Sequence, residues 1–376
     1  MIGRRRRSPN AAGRAKGRGG GPVRVGLVGA GRQGRTLGHA LMEVAGAQLV
    51  AVVDPQIGSA QLVAAECHLP SSAARTRIGD CDRSDADVWI IATPPNAHLT
   101  NFAELLRLPT RPRAVLCEKP AAWSLQDVMQ LVSLAKNSGV HLQFGLHLLS
   151  AIPPAVLSWL AAGGLGRLVD VAGTWLRVDG DPDWGHFRTG HCPGATFDLG
   201  PHLLGVMLPV LGRRSPICAV TSKMVSALAT PLLEGGPIRR DSSAEIAMFR
   251  SRPGGLEGAG TLSVAWSGRG TGAELTILLR GTEAAFAMHL DEGCGDAVVR
   301  VRVDARSARA TGVAGKWETP ARECYIRQLI TLVEAADAGV AAYVPPGARA
   351  QDAVASTRLI TAAYQSADKD GELISW

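Results

Sequence analysis

The sequence predicts a protein of two parts: an N-terminal α/β domain with a doubly wound parallel sheet, and an α+β C-terminal domain with a large, mainly antiparallel open sheet. Short apolar runs alternate with amphipathic runs over residues 23–150, which is typical of strands alternating with helices. Beyond residue 166, apolar runs follow one another with few helical segments between them. The length of 376 residues suits about two domains.

The N-terminal tail differs from the remainder in composition. Residues 1–21 hold seven of the 40 basic residues and no acidic residue, which leaves 33 basic residues against 33 acidic ones. We predict a disordered basic tail over residues 1–21. The tail either contacts nucleic acid or a membrane, or is an unstructured extension. The balanced charge elsewhere favours the extension, so no nucleic-acid partner is expected.

Targeting signals and cysteines give further expectations. A twin-arginine export signal also begins with arginines, but it needs an apolar segment next, and residues 8–21 are polar and glycine-rich. No apolar run reaches the ~18 residues of a membrane span. We therefore expect a cytoplasmic protein with no membrane partner. The seven cysteines are widely spaced and include no C-x-x-C pair, so no disulfide framework and no metal site are expected.

A glycine-rich turn follows the first apolar run, residues 25–28. Gly29 permits the tight turn, Gly31 lets a pyrophosphate approach the backbone, and Gly34 lets the next helix pack on the sheet. The helix N-terminus offers free N–H groups to phosphates. The next strand ends in Asp54, where a carboxylate can accept a hydrogen bond from a ribose hydroxyl. This order favours a dinucleotide site over a purely structural glycine turn.

The residues after Asp54 indicate which dinucleotide binds. The carboxylate would repel a 2′-phosphate, and the next two residues, Pro55 and Gln56, supply no cation to hold one. We expect NAD(H) rather than NADP(H). Arg32 and Arg75 are the two cations that would favour NADP(H) if they approached the adenosine ribose.

The rest of the first domain continues the alternation. Residues 59–67 read as a helix, and residues 87–92, 114–117 and 140–145 as strands. Asn96 is predicted to cap the helix that ends at Leu108, and Ser124 the helix that ends at Asn137. Thr93 and Lys119, like Asp54, follow strands, where ligands bind in a doubly wound sheet.

The second domain is predicted from its apolar runs. A connecting helix covers residues 153–166, and a helix over residues 196–211 interrupts the strands. Two helices, over residues 322–338 and 348–366, close the chain and are expected to pack back on the first domain. The predicted strands cover residues 168–178, 217–227, 244–250, 260–266, 275–279, 285–289 and 298–303.

Four motifs in this order resemble the glucose-fructose oxidoreductase / inositol dehydrogenase / rhizopine-catabolism (Gfo/Idh/MocA) family. They are the Gly29 to Gly34 fingerprint, Ala92-Thr93-Pro94-Pro95 with His98, Glu118-Lys119-Pro120, and Asp198-Leu199-Gly200-Pro201-His202. The resemblance covers residues 23–376. It implies a Rossmann domain at residues 22–150 and a substrate-binding and oligomerisation domain at residues 151–376, whose open sheet would join copies into a homo-oligomer, a dimer or a tetramer.

The resemblance also implies an activity and a cofactor site. The activity is hydride transfer between a nicotinamide and an alcohol or ketone of a small molecule, a sugar or cyclitol, and the bond before Pro120 is expected to be cis. The expected NAD contacts are Gly29, Gly31, Arg32, Gln33, Gly34, Asp54, Thr93, Pro94, Asn96, His98, Glu118 and Lys119.

Three residues are predicted to be catalytic. Oxidation of an alcohol needs a base for the hydroxyl proton, and Lys119 follows a strand beside the expected nicotinamide; the alternative is a solvated surface lysine. Asp198 and His202 lie four residues apart, on one face of a helix. The carboxylate is predicted to orient the imidazole and stabilise its cation; the alternative is a buried pair at a helix start.

The substrate contacts are predicted from the same region and from departures from the family pattern. Similar proteins have Asn and two arginines where this chain has Leu146-His147-Leu148, and an Asp where it has Gly205. His147 either replaces a substrate contact or is an ordinary pocket wall. In the loop over residues 179–193, Trp184 either stacks on a sugar ring or anchors the loop. The predicted substrate contacts are Lys119, His147, Trp184, Arg188, Asp198 and His202.

Three functions are consistent with these residues. The first is an NAD-dependent sugar or cyclitol dehydrogenase. The second is a ketone reductase in amino-sugar or antibiotic biosynthesis, which would use the same residues. The third is a non-catalytic regulator that senses a nucleotide, which the presence of Lys119, Asp198 and His202 disfavours.

Overall fold

The computed structural model describes residues 20–81, 86–177, 192–211, 217–225, 241–253, 255–266, 273–291, 297–305, 312–338 and 343–376. Two β-sheets organise these residues. The predicted basic tail lies outside them, apart from Gly20 and Gly21. Within the described ranges, no helix is both long enough and apolar enough to cross a membrane. The described cysteines are free thiols, and all but Cys218 are buried.

The first sheet has six parallel strands. In chain order they are β1 (Val23–Val28), β2 (Ala47–Val53), β3 (Ala74–Arg75), β4 (Val88–Ile91), β5 (Ala114–Glu118) and β6 (His141–Gly145). Their order in the sheet is β3-β2-β1-β4-β5-β6. The middle strands are mostly apolar because helices cover both faces of the sheet, and β5 ends in the buried Glu118. The predicted doubly wound sheet is confirmed, and its order reverses between β1 and β4, where a ligand crevice opens.

Four helices connect these strands: α1 (Arg32–Leu41), α2 (Ile57–Glu66), α3 (His98–Arg107) and α4 (Leu125–Ser138). The predicted cap of α4 is confirmed, since the Ser124 hydroxyl accepts a hydrogen bond from the Asp127 N–H. The predicted cap of α3 is wrong. Asn96 lies inside the short helical turn Pro95–Ala97, and α3 begins one residue after that turn with no side-chain cap.

The second sheet has nine strands. They are β7 (Leu168–Arg177), β8 (Ile217–Val225), β9 (Ser243–Arg252), β10 (Gly255–Trp266), β11 (Ala273–Gly281), β12 (Ala284–Asp291), β13 (Val298–Ala305), β14 (Gly315–Pro320) and β15 (Ile374–Ser375). Their order is β14-β13-β12-β11-β7-β10-β9-β8-β15. All neighbours are antiparallel except β7 and β10. In β13, Val299, Val301 and Val303 are buried while Arg300 and Arg302 are exposed, so one face covers the core.

Four further helices belong to the C-terminal part: α5 (Pro154–Ala161), α6 (Ala195–Leu211), α7 (Ala321–Ala338) and α8 (Ala350–Asp368). The α6 helix packs on the second sheet, and nearly all of its residues are buried. The α7 helix packs against α1, on one face of the first sheet, and α8 packs against α4, on the other. The predicted domain boundary at residue 150 falls in the helical turn His147–Ala151 and stays a prediction.

Candidate active site

The glycine turn joins β1 to α1, and its three glycines have different surroundings. Gly29 has a φ of +96°, and a Cβ there would lie 2.7 Å from the carbonyl carbon of Ala92. A Cβ on Gly34 would overlap the carbonyl oxygen of Gly29. Gly31 is exposed, and a Cβ there would meet no atom within 4 Å. Gly29 and Gly34 are therefore required by the turn itself, whereas Gly31 leaves free space for a ligand.

Asp54 lies at the end of β2, beside this turn. Its Oδ2 accepts a hydrogen bond from the N–H of Ala30 at 2.8 Å, and its Oδ1 accepts one from the N–H of Gln56 at 2.9 Å. Each carboxylate oxygen keeps further lone-pair capacity for a ribose hydroxyl. Asp54 therefore holds the turn in place and also presents a negative charge to whatever binds there.

A cleft of about 970 Å³ opens over the turn and the ends of β2 and β4. Asn101, on its wall, donates a hydrogen bond from Nδ2 to the Thr93 hydroxyl at 2.9 Å. The walls include five of the predicted cofactor residues: Gly29, Gly31, Asp54, Thr93 and Pro94. They also include four polar residues that sequence reasoning missed: Thr76, Arg77, Asn101 and Glu104. Asn101 reaches the cleft wall through its contact with Thr93, which no motif in the sequence marks.

Three other predicted cofactor residues lie outside the walls of this cleft. Arg32 is exposed and Gln33 is partly buried, and both belong to the first turn of α1. Asn96 is exposed in the helical turn before α3. Their N–H groups and side chains lie near the site, but their contact with a cofactor stays a prediction.

His98 links two loops of the site and does not face the cleft. It is completely buried, with Nε2 2.8 Å from the carbonyl oxygen of Thr93 and Nδ1 3.1 Å from that of Ala121. Burial lowers its pKa, so the ring is neutral and donates to one of the two carbonyls. The ring of His98 ties the Thr93 turn to the loop after β5, and its predicted contact with the cofactor stays a prediction.

Glu118 is buried at the end of β5. Its Oε1 accepts a hydrogen bond from Gln33 Nε2 at 3.0 Å, and its Oε2 accepts one from the N–H of Lys119 at 3.0 Å. Burial raises the pKa of Glu118 to about 6. A Cβ on Gly145 would lie 2.6 Å from the Glu118 carboxyl carbon, so this strand end must carry a glycine. The Lys119–Pro120 peptide bond is cis, as expected.

Lys119 and Asp198 form a largely buried ion pair. Lys119 Nζ donates to Asp198 Oδ1 at 2.7 Å and to its carbonyl oxygen at 3.2 Å. The Lys119 side chain is 22% exposed and the Asp198 side chain 6%. Arg177, the last residue of β7, places Nη1 3.5 Å from the other carboxylate oxygen. Sequence reasoning missed Arg177, because its contact with Asp198 joins two elements that no motif links.

His202 lies in a cluster of rings one turn further along α6. Its ring centroid is 5.2 Å from that of Trp175 and 5.1 Å from that of His147, both edge to face. His147 in turn stacks on Tyr325 of α7 at 3.9 Å. His147 is therefore next to a predicted catalytic residue. Trp175 and Tyr325 were missed, because elements far apart in the chain bring them together.

The electrostatics of His202 differ from the sequence prediction. Its pKa is lowered well below the usual value, first by burial and then by the positive charge of Lys119. Burial and the same charge lower the pKa of His147 to about 3. His202 Nδ1 is buried and has no hydrogen-bond partner among the described residues. The predicted Asp198–His202 pair is wrong, because the Asp198 carboxylate binds Lys119 and Arg177 instead.

Lys119 also lines a second cavity, of about 280 Å³, between the loop after β5, the start of α6 and α8. Trp123 and Phe197 form one wall, with ring centroids 5.4 Å apart. Trp184 and Arg188, the remaining predicted substrate contacts, lie outside the described residues. Among the residues that are described, no three His, Cys, Asp or Glu side chains are placed to hold a metal ion.

Comparison with known proteins identifies the family that the first domain matches. Residues 23–146 match GFO_IDH_MocA, the oxidoreductase family with an NAD-binding Rossmann fold. This match covers about a third of the chain, its first domain. The first domain of the chain is thus an NAD-binding Rossmann domain. The family match confirms NAD as the predicted cofactor.

One curated relative of this chain is the rhizopine catabolism protein MocA of Rhizobium meliloti. The two are 31% identical over 185 residues, which are 48% of this chain and 54% of MocA. The chain spans about half the length, or less, of the curated relatives that it matches.

Two solved structures extend the similarity to the whole chain. GenD2 from gentamicin A biosynthesis, in complex with NAD, has a TM-score of 0.71 and 24% identity, with 98% of this chain and 99% of GenD2 covered. An inositol dehydrogenase homologue from Azotobacter vinelandii, complexed with NADH and myo-inositol, has a TM-score of 0.72 and 17% identity, with 95% and 98% covered. At these identities the likeness shows the shared two-domain fold.

Proposed function

We propose that this chain is an NAD-dependent oxidoreductase that transfers a hydride between the nicotinamide and a CH–OH carbon of a sugar or cyclitol. The observation that carries the proposal is the Lys119–Asp198 pair, which lies at the end of β5. The names of similar proteins, rhizopine catabolism and inositol dehydrogenase, support the substrate class.

The residues of the cleft fit NAD. Gly31 leaves room for a pyrophosphate, the N-terminus of α1 offers free N–H groups, and Asp54 can accept a hydrogen bond from a ribose hydroxyl. Bound NAD would supply the hydride acceptor. The protein itself has to orient the substrate and take up its hydroxyl proton.

Lys119 and His202 divide that task in the proposed mechanism. The Lys119 ammonium donates a hydrogen bond to the substrate oxygen, and Asp198 holds the ammonium in position. As the carbon loses hydride, the hydroxyl O–H bond breaks and the C=O bond forms. The proton passes to the imidazole of His202, whose lowered pKa leaves it neutral but also weakens it as a base. Reduction of a ketone reverses each step with the same residues.

A polyhydroxylated substrate also suits the ring cluster. Two buried polar atoms there, His202 Nδ1 and Trp175 Nε1, have no hydrogen-bond partner among the described residues. Buried polar atoms are ordinarily paired. Sugar or cyclitol hydroxyls would supply both an acceptor for the indole N–H and a partner for the imidazole.

The test is reduction of NAD, followed by absorbance, with a panel of polyols, cyclitols and glycosides. At least one should support turnover by the parent. Lys119→Ala and His202→Ala should lower kcat by about 10²–10⁴-fold, the usual contribution of a positioned acid or base. Their affinity for NAD should stay within a few-fold of the parent.

Lys136→Ala and His39→Ala are matched controls, because both side chains lie on helix surfaces away from the site. Both should turn over like the parent. If no member of the panel supports reduction of NAD, the proposed activity is contradicted. If His202→Ala turns over like the parent, His202 is not the proton acceptor. The same protein, run on a light-scattering column, tests the predicted homo-oligomer.

A further inference from the structure

The N-terminus of α6, which carries the predicted catalytic carboxylate, has no capping side chain of its own. The residue before the helix is Gly194, and a Cβ there would overlap the side chain of Asp241. The first N–H groups of a helix need partners outside it. Asp241, at the start of the segment leading into β9, takes the place that a capping residue usually fills.

Asp241 makes its contacts through both its side chain and its backbone. Its Oδ2 accepts hydrogen bonds from the Thr196 N–H at 2.9 Å and the Thr196 hydroxyl at 2.6 Å. Its carbonyl oxygen accepts one from the Ala195 N–H at 2.8 Å, and its own N–H donates to the carbonyl oxygen of Pro193 at 3.0 Å. Asp241 therefore hydrogen-bonds both to the first residues of α6 and to Pro193, just before the helix.

The other carboxylate oxygen of Asp241 joins this turn to α8. Oδ1 accepts a hydrogen bond from the Tyr364 hydroxyl at 2.6 Å. Asp241 is only 3% exposed, and three side-chain contacts satisfy its oxygens. A buried carboxylate bonded to a helix N-terminus is also favoured by the helix dipole. The start of α6 is thus fixed to a second helix as well as to the strand segment.

We propose that Asp241 is a positioning residue that caps α6 and thereby holds the Asp198 carboxylate against Lys119. Asp198 lies two residues after Thr196, in the same turn, and its N–H donates to the carbonyl oxygen of Gly194 at 3.2 Å. The 2.7 Å contact between Asp198 and Lys119 depends on where this turn sits. The inference rests on the proposed function, in which that contact positions the ammonium group.

A double-mutant cycle on kcat tests the inference. Asp241→Asn keeps the shape of the side chain but removes its charge. It should lower kcat by about tenfold to a hundredfold, as small misplacements of catalytic groups do, and leave the KM for NAD unchanged. Because Asp241 acts through Asp198, the same substitution should have almost no further effect in an Asp198→Asn background. A merely structural role would cost the same factor in both backgrounds.

Two further variants separate positioning from general stability. Thr196→Val removes one hydrogen bond of the cap and should show a smaller loss of kcat with the same dependence on Asp198. Asp87→Asn is the matched control: Asp87 is a buried carboxylate that accepts a hydrogen bond from the Arg24 N–H just before β4, at the edge of the first sheet opposite to the one that carries Lys119. It should lower the melting temperature without changing kcat.

A crystal structure of the Asp241→Asn variant gives a reading independent of turnover. The distance between Lys119 Nζ and the Asp198 carboxylate should lengthen beyond hydrogen-bonding range. An unchanged distance, or equal effects of Asp241→Asn in both backgrounds, would overturn the inference. Parent-like turnover by Asp198→Asn would instead contradict the proposed role of the Lys119–Asp198 pair itself.

Discussion

Lys119 Nζ and Asp198 Oδ1 lie 2.7 Å apart, although Lys119 follows a strand of the six-stranded sheet and Asp198 belongs to a helix packed on the nine-stranded one. Neither side chain is more than one quarter exposed. The pair therefore forms only when the two parts of the chain are docked. Removal of Asp198 leaves the Lys119 charge largely buried and uncompensated, whereas removal of Lys119 leaves Asp198 with Arg177.

The glycine turn gives a prediction with an internal control. Gly34→Ala should destabilise the cofactor-free protein and weaken NAD binding, because the new methyl group would overlap the carbonyl oxygen of Gly29. Gly31→Ala should leave the melting temperature of the cofactor-free protein unchanged, since its Cβ would meet nothing within 4 Å. It should weaken NAD binding only, because a pyrophosphate needs that space. Thermal melting and titration of each variant provide the measurement; equal melting temperatures for the two variants would contradict this account.

Cofactor choice gives the second prediction. NAD(H) should bind more tightly than NADP(H), because the Asp54 carboxylate would repel a 2′-phosphate. Asp54→Asn removes the charge but keeps an oxygen for the Ala30 or Gln56 N–H group. The dissociation constant for NADP(H), divided by that for NAD(H), should fall by about tenfold or more in this variant. Asp80→Asn, whose carboxylate lies outside the cleft walls, is the control. Equal affinities of the parent for NAD(H) and NADP(H) would refute this reading of Asp54.

The third prediction concerns the charge of His202. Because burial and the charge of Lys119 lower its pKa well below the usual value, the ring should stay neutral through the pH range around 6.5 in which an ordinary histidine titrates. Its imidazole resonance, assigned by its loss in His202→Ala, should not shift over that range. His147, whose pKa is lowered to about 3, should behave in the same way. Lys119→Met should move the pKa of His202 back toward its usual value. A His202 resonance that titrates near pH 6.5 in the parent would contradict the assignment.

The fourth prediction concerns stability against pH. Burial raises the pKa of Asp241 from 3.8 to about 6 in the folded protein. The folded state therefore keeps the Asp241 proton up to a higher pH than the unfolded state does. The contribution of this protonation to the free energy of unfolding is full below about pH 4 and is lost as the pH rises to about 6. The groups facing it, the Tyr364 phenol and the Cys192 thiol, stay uncharged there because burial raises both pKa values.

Calorimetry of the parent and of Asp241→Asn between pH 4 and pH 7 measures this effect. The melting temperature of the parent, taken relative to the variant, should fall by a few degrees from pH 4 to pH 6 and then level off. Glu118→Gln should show the same trend, because burial raises the pKa of Glu118 to about 6 as well. A difference that is constant across the range would show that neither carboxyl titrates there.

The elements of the first sheet could be predicted from sequence because its strands lie between two layers of helices and read as short, mostly apolar runs. The edge strands of the second sheet could not. β14 has one neighbour and alternates charged residues such as Lys316 and Glu318 with others, and β15 is two residues long. These segments become strands by pairing with a neighbouring strand, so their own residue pattern gives little indication of their structure.

Site residues within one motif could likewise be predicted, and contacts between distant elements could not. Gly29, Asp54 and Lys119 stand where a strand ends, which fixes their place in a doubly wound sheet. The partner of Asp198 was chosen from helical spacing, which puts His202 on the same face. Spacing says nothing about Lys119 and Arg177, which reach the carboxylate from other elements and bind it more strongly as cations.

The two faces of the six-stranded sheet are finished by helices from the far end of the chain. Leu329, Leu332 and Val333 of α7 join the core beside α1, and Ala353 of α8 joins the core beside α4. Residues 23–145 alone would leave both of those apolar surfaces open to water. During synthesis, the Rossmann sheet therefore stays incomplete until α7 and α8 have been made, and a chain truncated before residue 321 should need a chaperone to remain unaggregated.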